Sequence, residues 1–202
     1  MIAVVRSELL KLATVRTPRW VLLAQVLLLA AAASGAVVSG ALTPETMATP
    51  DGMRLFLAHG GVVAILSLAV GITMSAGEFR HGTAVDTFLT TPRRGRLVGA
   101  KLVAGALAGL VAGLVVAVAV LGLALAWFGA KGVDLDAQVV ARSLVGVVLW
   151  QVLYAVLGVA LGSVVRAQAA AITIAVAWLF VAETALSQLV TSVGRWLPAT
   201  AT

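Results

Sequence analysis

The chain contains no cysteine. That removes a disulfide framework, a thiolate nucleophile and any Cys-ligated zinc or iron–sulfur site from consideration. Histidine is nearly absent too: His59 and His81 are the only two in 202 residues, too few for a His-rich metal centre. Charge is scarce, at 11% of residues, against roughly 25% in an ordinary globular chain. No G-x-x-x-x-G-K-[ST] phosphate loop occurs, so the chain has no nucleotide-hydrolysing motif of its own. What fills the space is apolar. The hydrophobic fraction is 61% and the mean hydropathy +1.10, which leaves too little polar surface to coat a water-soluble core.

The apolar residues come in long continuous runs, at about 20–42, 55–76, 102–128, 144–165 and 169–190. Each meets the ~20 residues a helix needs to cross ~30 Å of hydrocarbon. None alternates as a barrel strand would. An all-α polytopic membrane protein with five spans is expected, as one transmembrane domain over residues 19–202. The run at 102–128 is long enough to tilt or protrude.

The +6 net charge does not point to nucleic acid, because the cations flank the apolar runs. Ten of the fourteen Lys/Arg residues fall on the side holding the N-terminus, and Arg54, Lys131, Arg142 and Arg195 fall on the other. The positive-inside rule then places the N-terminus in the cytoplasm, in a cell inner membrane. The outer loops are short, which leaves no room for a second soluble domain. A cleavable signal peptide is not expected, since the charges from Arg6 to Arg19 are spread out and the following apolar run is too long.

Residues 1–18 read as an amphipathic interfacial helix. Ile2, Val5, Leu9 and Leu12 share one face at helical spacing, Ser7, Glu8 and Lys11 face away, and Pro18 ends the helix before the first crossing. Between the second and third runs, Gly82 gives a bend and Thr83 is a fitting N-cap. A short helix at about 83–90 follows, with Pro92 preventing its continuation. Val85, Phe88 and Leu89 form an i, i+3, i+4 face on it. A capped helix with an apolar face in a mere connector suggests docking onto something in the cytoplasm, the alternative being burial in the lipid interface.

The run Glu78-Phe79-Arg80-His81-Gly82-Thr83, then Phe88-Leu89-Thr90-Thr91-Pro92 and Lys101-Leu102, resembles the cytoplasmic loop of type-2 ABC exporter permeases. The opening Arg6-Ser7-Glu8-Leu9-Leu10-Lys11-Leu12 is also similar to that family. The resemblance implies an N-terminal elbow helix, and a coupling helix at 83–90 seated in a groove of a separate ATPase subunit. Two permease subunits, as a homodimer or heterodimer, would form the substrate path. ATP and Mg²⁺ would belong to the partner, with no cofactor on this chain. Val85, Phe88 and Leu89 are then the docking face, Thr83 its cap, and Glu78 and Arg80 position the loop. Arg93, Arg94 and Arg96 are read as anchors at the inner surface. Export of amphipathic compounds such as drugs, antibiotics or lipids is the implied activity. Its rival is an immunity or sensor protein that keeps the fold without transporting. The family carries a sixth span with a re-entrant segment before it, whereas five runs are found here.

Polar residues inside the apolar runs are costly and mark cavity candidates: His59, Ser67, Trp178 and Glu183. For His59 an interhelical hydrogen bond is favoured over chemistry, as it also is for Gln151 and Tyr154. An intramembrane enzyme built on His59 and Glu183 lacks a nucleophile–base spacing or a metal cluster. Gly105, Gly109 and Gly113 repeat every four residues, as do Gly158 and Gly162, and let helices approach closely within or between subunits.

Overall fold

The computed structural model describes residues 2–80 and 94–178, excluding the side chains of Arg80 and Arg94. The expected coupling helix with Thr83, Val85, Phe88 and Leu89, and the intramembrane Glu183, lie outside those residues. Among the described residues the chain is all-helical, and four helices are long and apolar enough to cross a membrane. This is a membrane protein.

Helix α1 (Ile2–Thr14) is followed at once by α2 (Thr17–Val38), whose start is set by Pro18 in its first turn, where a missing N–H costs nothing. A glycine turn at Gly40, with φ +78°, closes α2. The short α3 (Pro44–Met47) and α4 (Pro50–Val62) both open on a threonine followed by proline. Thr49 Oγ1 accepts from Gly52 N at 3.1 Å as the cap of α4. The second crossing runs through α4 into α5 (Ile65–Arg80), so the apolar span at 55–76 is a broken helix of greater length.

The break follows from the Gly60-Gly61 pair, both poor helix formers. Around it the backbone switches to three-residue turns, Ala64 N donating to Gly61 O at 3.0 Å and Leu66 N to Val63 O at 3.1 Å. Helix α6 (Arg94–Lys131) has 38 residues, about 57 Å at ~1.5 Å each. Far exceeding the hydrocarbon thickness, it must tilt or project beyond it. Helix α7 (Ala137–Val165) is capped by Asp136, whose carboxylate accepts from Gln138 N at 2.8 Å and Val139 N at 3.0 Å. Helix α8 (Gln168–Ala177) covers the described part of the fifth apolar run.

Helix α7 is central, packed along both α5 and α6. The glycines decide how close these helices come. A Cβ on Gly109 would stand 2.8 Å from Gln151 O and Val152 Cα, and one on Gly113 3.0 Å from Val148 Cα. On Gly105 it would meet the Val159 side chain at 2.7 Å. A Cβ on Gly158 or Gly162 would collide with the backbone of Leu68 or Ile72 on α5. The glycine ridges therefore serve packing within one chain: α6 on α7, and α7 on α5. One apolar core then gathers around Leu29, Phe56, Val120 and Phe128, with the two phenylalanine rings edge-to-face at 5.5 Å. A second surrounds Ala64, Leu68, Ile72, Tyr154 and Ala171. The outer faces of α2, α6 and α7 expose leucines and valines such as Leu27, Val118 and Leu149, as lipid-facing helices do.

Candidate functional site

The bundle alternates in direction, so α1, the C-terminal end of α5, the N-terminal end of α6 and the C-terminal end of α7 share one end. A ring of ions is built there. Glu8 on α1 accepts from Lys11 Nζ at 2.7 Å on one oxygen and from Lys101 Nζ at 2.8 Å on the other. Glu78 on α5 closes the ring, its Oε1 lying 2.7 Å from Lys11 Nζ and 2.8 Å from Lys101 Nζ. Two acids and two bases alternate, so the cluster is neutral, and each charge buried from water keeps two partners.

Burial is unequal within the ring. The Glu8 and Lys101 side chains are 2% and 5% exposed, whereas Lys11 is 49% exposed. Burial pushes the Lys11 ammonium down, but its hydrogen bonds to Glu78 and Glu8 and their charges outweigh this and hold it above its ordinary 10.5. Beside the ring, Arg166 caps α7 in the left-handed conformation, φ 58°, and lies over the Phe79 ring at 5.7 Å.

This geometry corrects the expected orientation of the first helix. Glu8 does not face away from the apolar stripe; it is the buried residue of α1, while Ile2 is exposed. The reason is the Lys101 ammonium on the facing helix, which draws the carboxylate inward. Glu78 is likewise a partner of Lys11 and Lys101, and the side chain of Arg80 is not among those described.

A second polar group lies inside the bundle at the break between α4 and α5. Gln25 on α2 is 1% exposed, and Gln151 on α7 and Ser67 on α5 are also buried. Gln25 Nε2 donates to Ser67 Oγ at 2.9 Å and lies 3.3 Å from both Val63 O and Gln151 Oε1. Ser67 Oγ donates to Gln151 Oε1. Gln151 Nε2 reaches Gly60 O at 3.5 Å. Gln151 thus answers the Gly60 carbonyl, which loses Ala64 N to Gly61 O at the break, and Gln25 adds a second donor to Val63 O, which already accepts from Leu66 N.

The expected cavity residues do not assemble into one site. Ser67 belongs to this glutamine group. His59, half-buried near the opposite end, makes its contacts within its own helix, Nδ1 lying 3.0 Å from Leu55 O and Phe56 O, so no interhelical bond of His59 is found among the described residues. Trp178 is half exposed at the end of α8. Gln151 does bond across helices, and the Tyr154 ring lies edge-on against Trp150 at 5.6 Å. Sequence reasoning passed over Gln25, although the lone glutamine of the run at 20–42 was the available signal. No group of three or more His, Cys, Asp or Glu side chains suited to a metal occurs among the described residues.

No family model, curated protein or solved structure matches the chain.

Proposed function

We propose that the chain is the permease subunit of an ATP-driven exporter of the type-2 ABC class, working with a second permease subunit and separate ATPase subunits. Its N-terminus lies in the cytoplasm, five helices cross the inner membrane, and residues 83–90 form the coupling helix. The observation that carries this reading is the ion ring. Residues 81–93 join α5 to α6, and the ring ties both ends of that connector to α1 through Glu78 and Lys101. Force applied to the connector by a nucleotide-driven partner would move α5, α6 and α1 as one body, which is how a docking helix drives a transmembrane bundle. The same end carries Arg16, Arg19 and Arg96 as well as the ring, and the other end carries Arg54, Lys131 and Arg142. That asymmetry supports the cytoplasmic assignment.

The test is co-purification from native membranes. An ATPase subunit should accompany the chain, and its hydrolysis should rise with an amphipathic drug. Phe88→Asp should abolish the association while leaving membrane insertion intact. A bound ATPase that no drug stimulates would turn the reading to a docked sensor or immunity protein. Undiminished association of Phe88→Asp, or no ATPase at all, would overturn the coupling helix.

A further inference from the structure

Two cavities meet between α4 and α7, at the end of the bundle opposite the ion ring. One, of about 280 Å³, is lined by Arg54, Gln138, Val139, Arg142 and Ser143. The other, of about 500 Å³, shares Arg54 and Ser143 and continues past Leu55, Ala58 and Gly146 to Trp150. Both helices begin at this end, with Arg54 the fifth residue of α4 and Arg142 the sixth of α7, so the two arginines stand at one level. Beyond them α4 and α7 converge, and a Cβ on Gly61 would lie 3.5 Å from the Trp150 ring. Two cations therefore share the smaller cavity, and no acid lines it. Arg142 has no hydrogen bond or ion pair among the described residues. Arg54 Nη1 donates to Asp51 Oδ1 at 2.7 Å, but that pair is open to solvent, its side chains 59% and 90% exposed, and holds little. Arginine does not shed its proton, so two guanidinium groups brought together call for an anion.

We infer that this groove holds one anionic phospholipid, its phosphate at Arg54 and Arg142 and an acyl chain running between α4 and α7 to Trp150. Guanidinium groups match phosphate oxygens in geometry as well as charge. With Asp51 counted, the lining still carries an excess of one positive charge, which favours an anionic headgroup over a zwitterionic one. The floor selects a lipid over a soluble anion. Past Ser143 the α7 wall is Gly146, Val147 and Trp150, with no charge. From Arg142 to Trp150 is about 12 Å along the helix at ~1.5 Å per residue. That is most of the ~15 Å depth of one leaflet, half of a ~30 Å hydrocarbon core. The inference goes beyond the transport reading, and its test involves neither nucleotide nor partner, so either can fail without the other.

The experiment places the purified full chain in phosphatidylcholine nanodiscs containing increasing amounts of chain-brominated phosphatidylglycerol or chain-brominated phosphatidylcholine. Bromine quenches a tryptophan that it touches, and the signal lost in Trp150→Phe isolates the groove from the other tryptophans. The anionic lipid should half-quench Trp150 at about a tenfold lower fraction than the zwitterionic one, equivalent to about 1.4 kcal/mol. Arg54→Gln/Arg142→Gln should make the two lipids equal, whereas Lys131→Gln, at the same end but outside the lining, should keep the preference. Gly146→Leu fills the groove from a position with open space around its Cβ, and should reduce quenching by both lipids while the protein still folds. Inorganic phosphate in solution should change nothing; if it removes the preference, the site takes a soluble anion and the lipid assignment is overturned. Equal quenching of the wild-type chain by the two lipids would overturn it as well, and so would a preference lost in Lys131→Gln.

Discussion

Replacing Lys101 with methionine separates a docked N-terminal helix from one that merely floats at the interface. Methionine preserves the chain length and apolar stem of lysine but deletes the ammonium. Glu8, at 2% side-chain exposure, then keeps only Lys11, which is half in solvent and must also serve Glu78. Breaking one member out of a buried ion group typically costs about 3–5 kcal/mol, because it strands a carboxylate rather than because the pair itself was strong. In a chain of this size that corresponds to a fall in Tm on the order of 10 °C. The penalty should be relieved, not compounded, in Glu8→Gln/Lys101→Met, where the stranded charge is gone. The absence of native cysteine makes a second readout clean: spin labels at Ser7→Cys and Gly95→Cys, both exposed positions, report the distance between α1 and the start of α6. Lys101→Met should broaden that distance distribution, and the double variant should narrow it again. If Lys101→Met melts with the wild type and the distance is unmoved, the ring does not hold α1. The mechanical coupling built on it would fail as well.

The same labels test the lysine on the solvent side of the ring. Lys11 is held above its ordinary 10.5 in the folded protein, so its contribution is complete below that pH and lost as the pH rises through the higher folded value. Helix α1 should therefore stay docked across neutral pH and release only in strong alkali; release on mild alkalinisation would contradict the raised value. For the glycine seam, Gly109→Ala should destabilise by about 1–3 kcal/mol, since the new methyl meets the backbone of α7. Gly122→Ala, with open space around its Cβ, should be neutral or stabilise by up to ~1 kcal/mol through helix propensity. Detergent-resistant thermal melts of the pair decide this, and equal shifts would show that α6 and α7 are not in close contact.

The apolar crossings were legible because length and hydropathy alone select them in hydrocarbon. The first, third and fourth runs sit within α2, α6 and α7, apart from the last residues of the first. The glycine spacing was legible as a close-packing ridge, but its partner was not, because a small residue permits approach without naming what approaches. Nor could the break in the second crossing be located from Gly60-Gly61 alone; it depends on a glutamine 91 residues away to answer the Gly60 carbonyl.

The misread face of α1 is the most instructive. Periodicity assigns a glutamate to the wet side because an unpaired carboxylate belongs there, and that assignment holds only while no cation faces it. Lys101 lies 93 residues from Glu8, so nothing in the local pattern of α1 announces the partner. What the sequence did contain was an imbalance: a lysine at the opening of a long apolar run, where it must either reach the interface or find an acid. Glu78 ends the preceding crossing and Glu8 lies on the helix before the first. Among the described residues those are the two acids nearest the same end of the bundle once the crossings alternate. Residues that are individually costly in an apolar setting become mutually explanatory when topology brings them to one level, and the ion ring and the glutamine group both arise in that way.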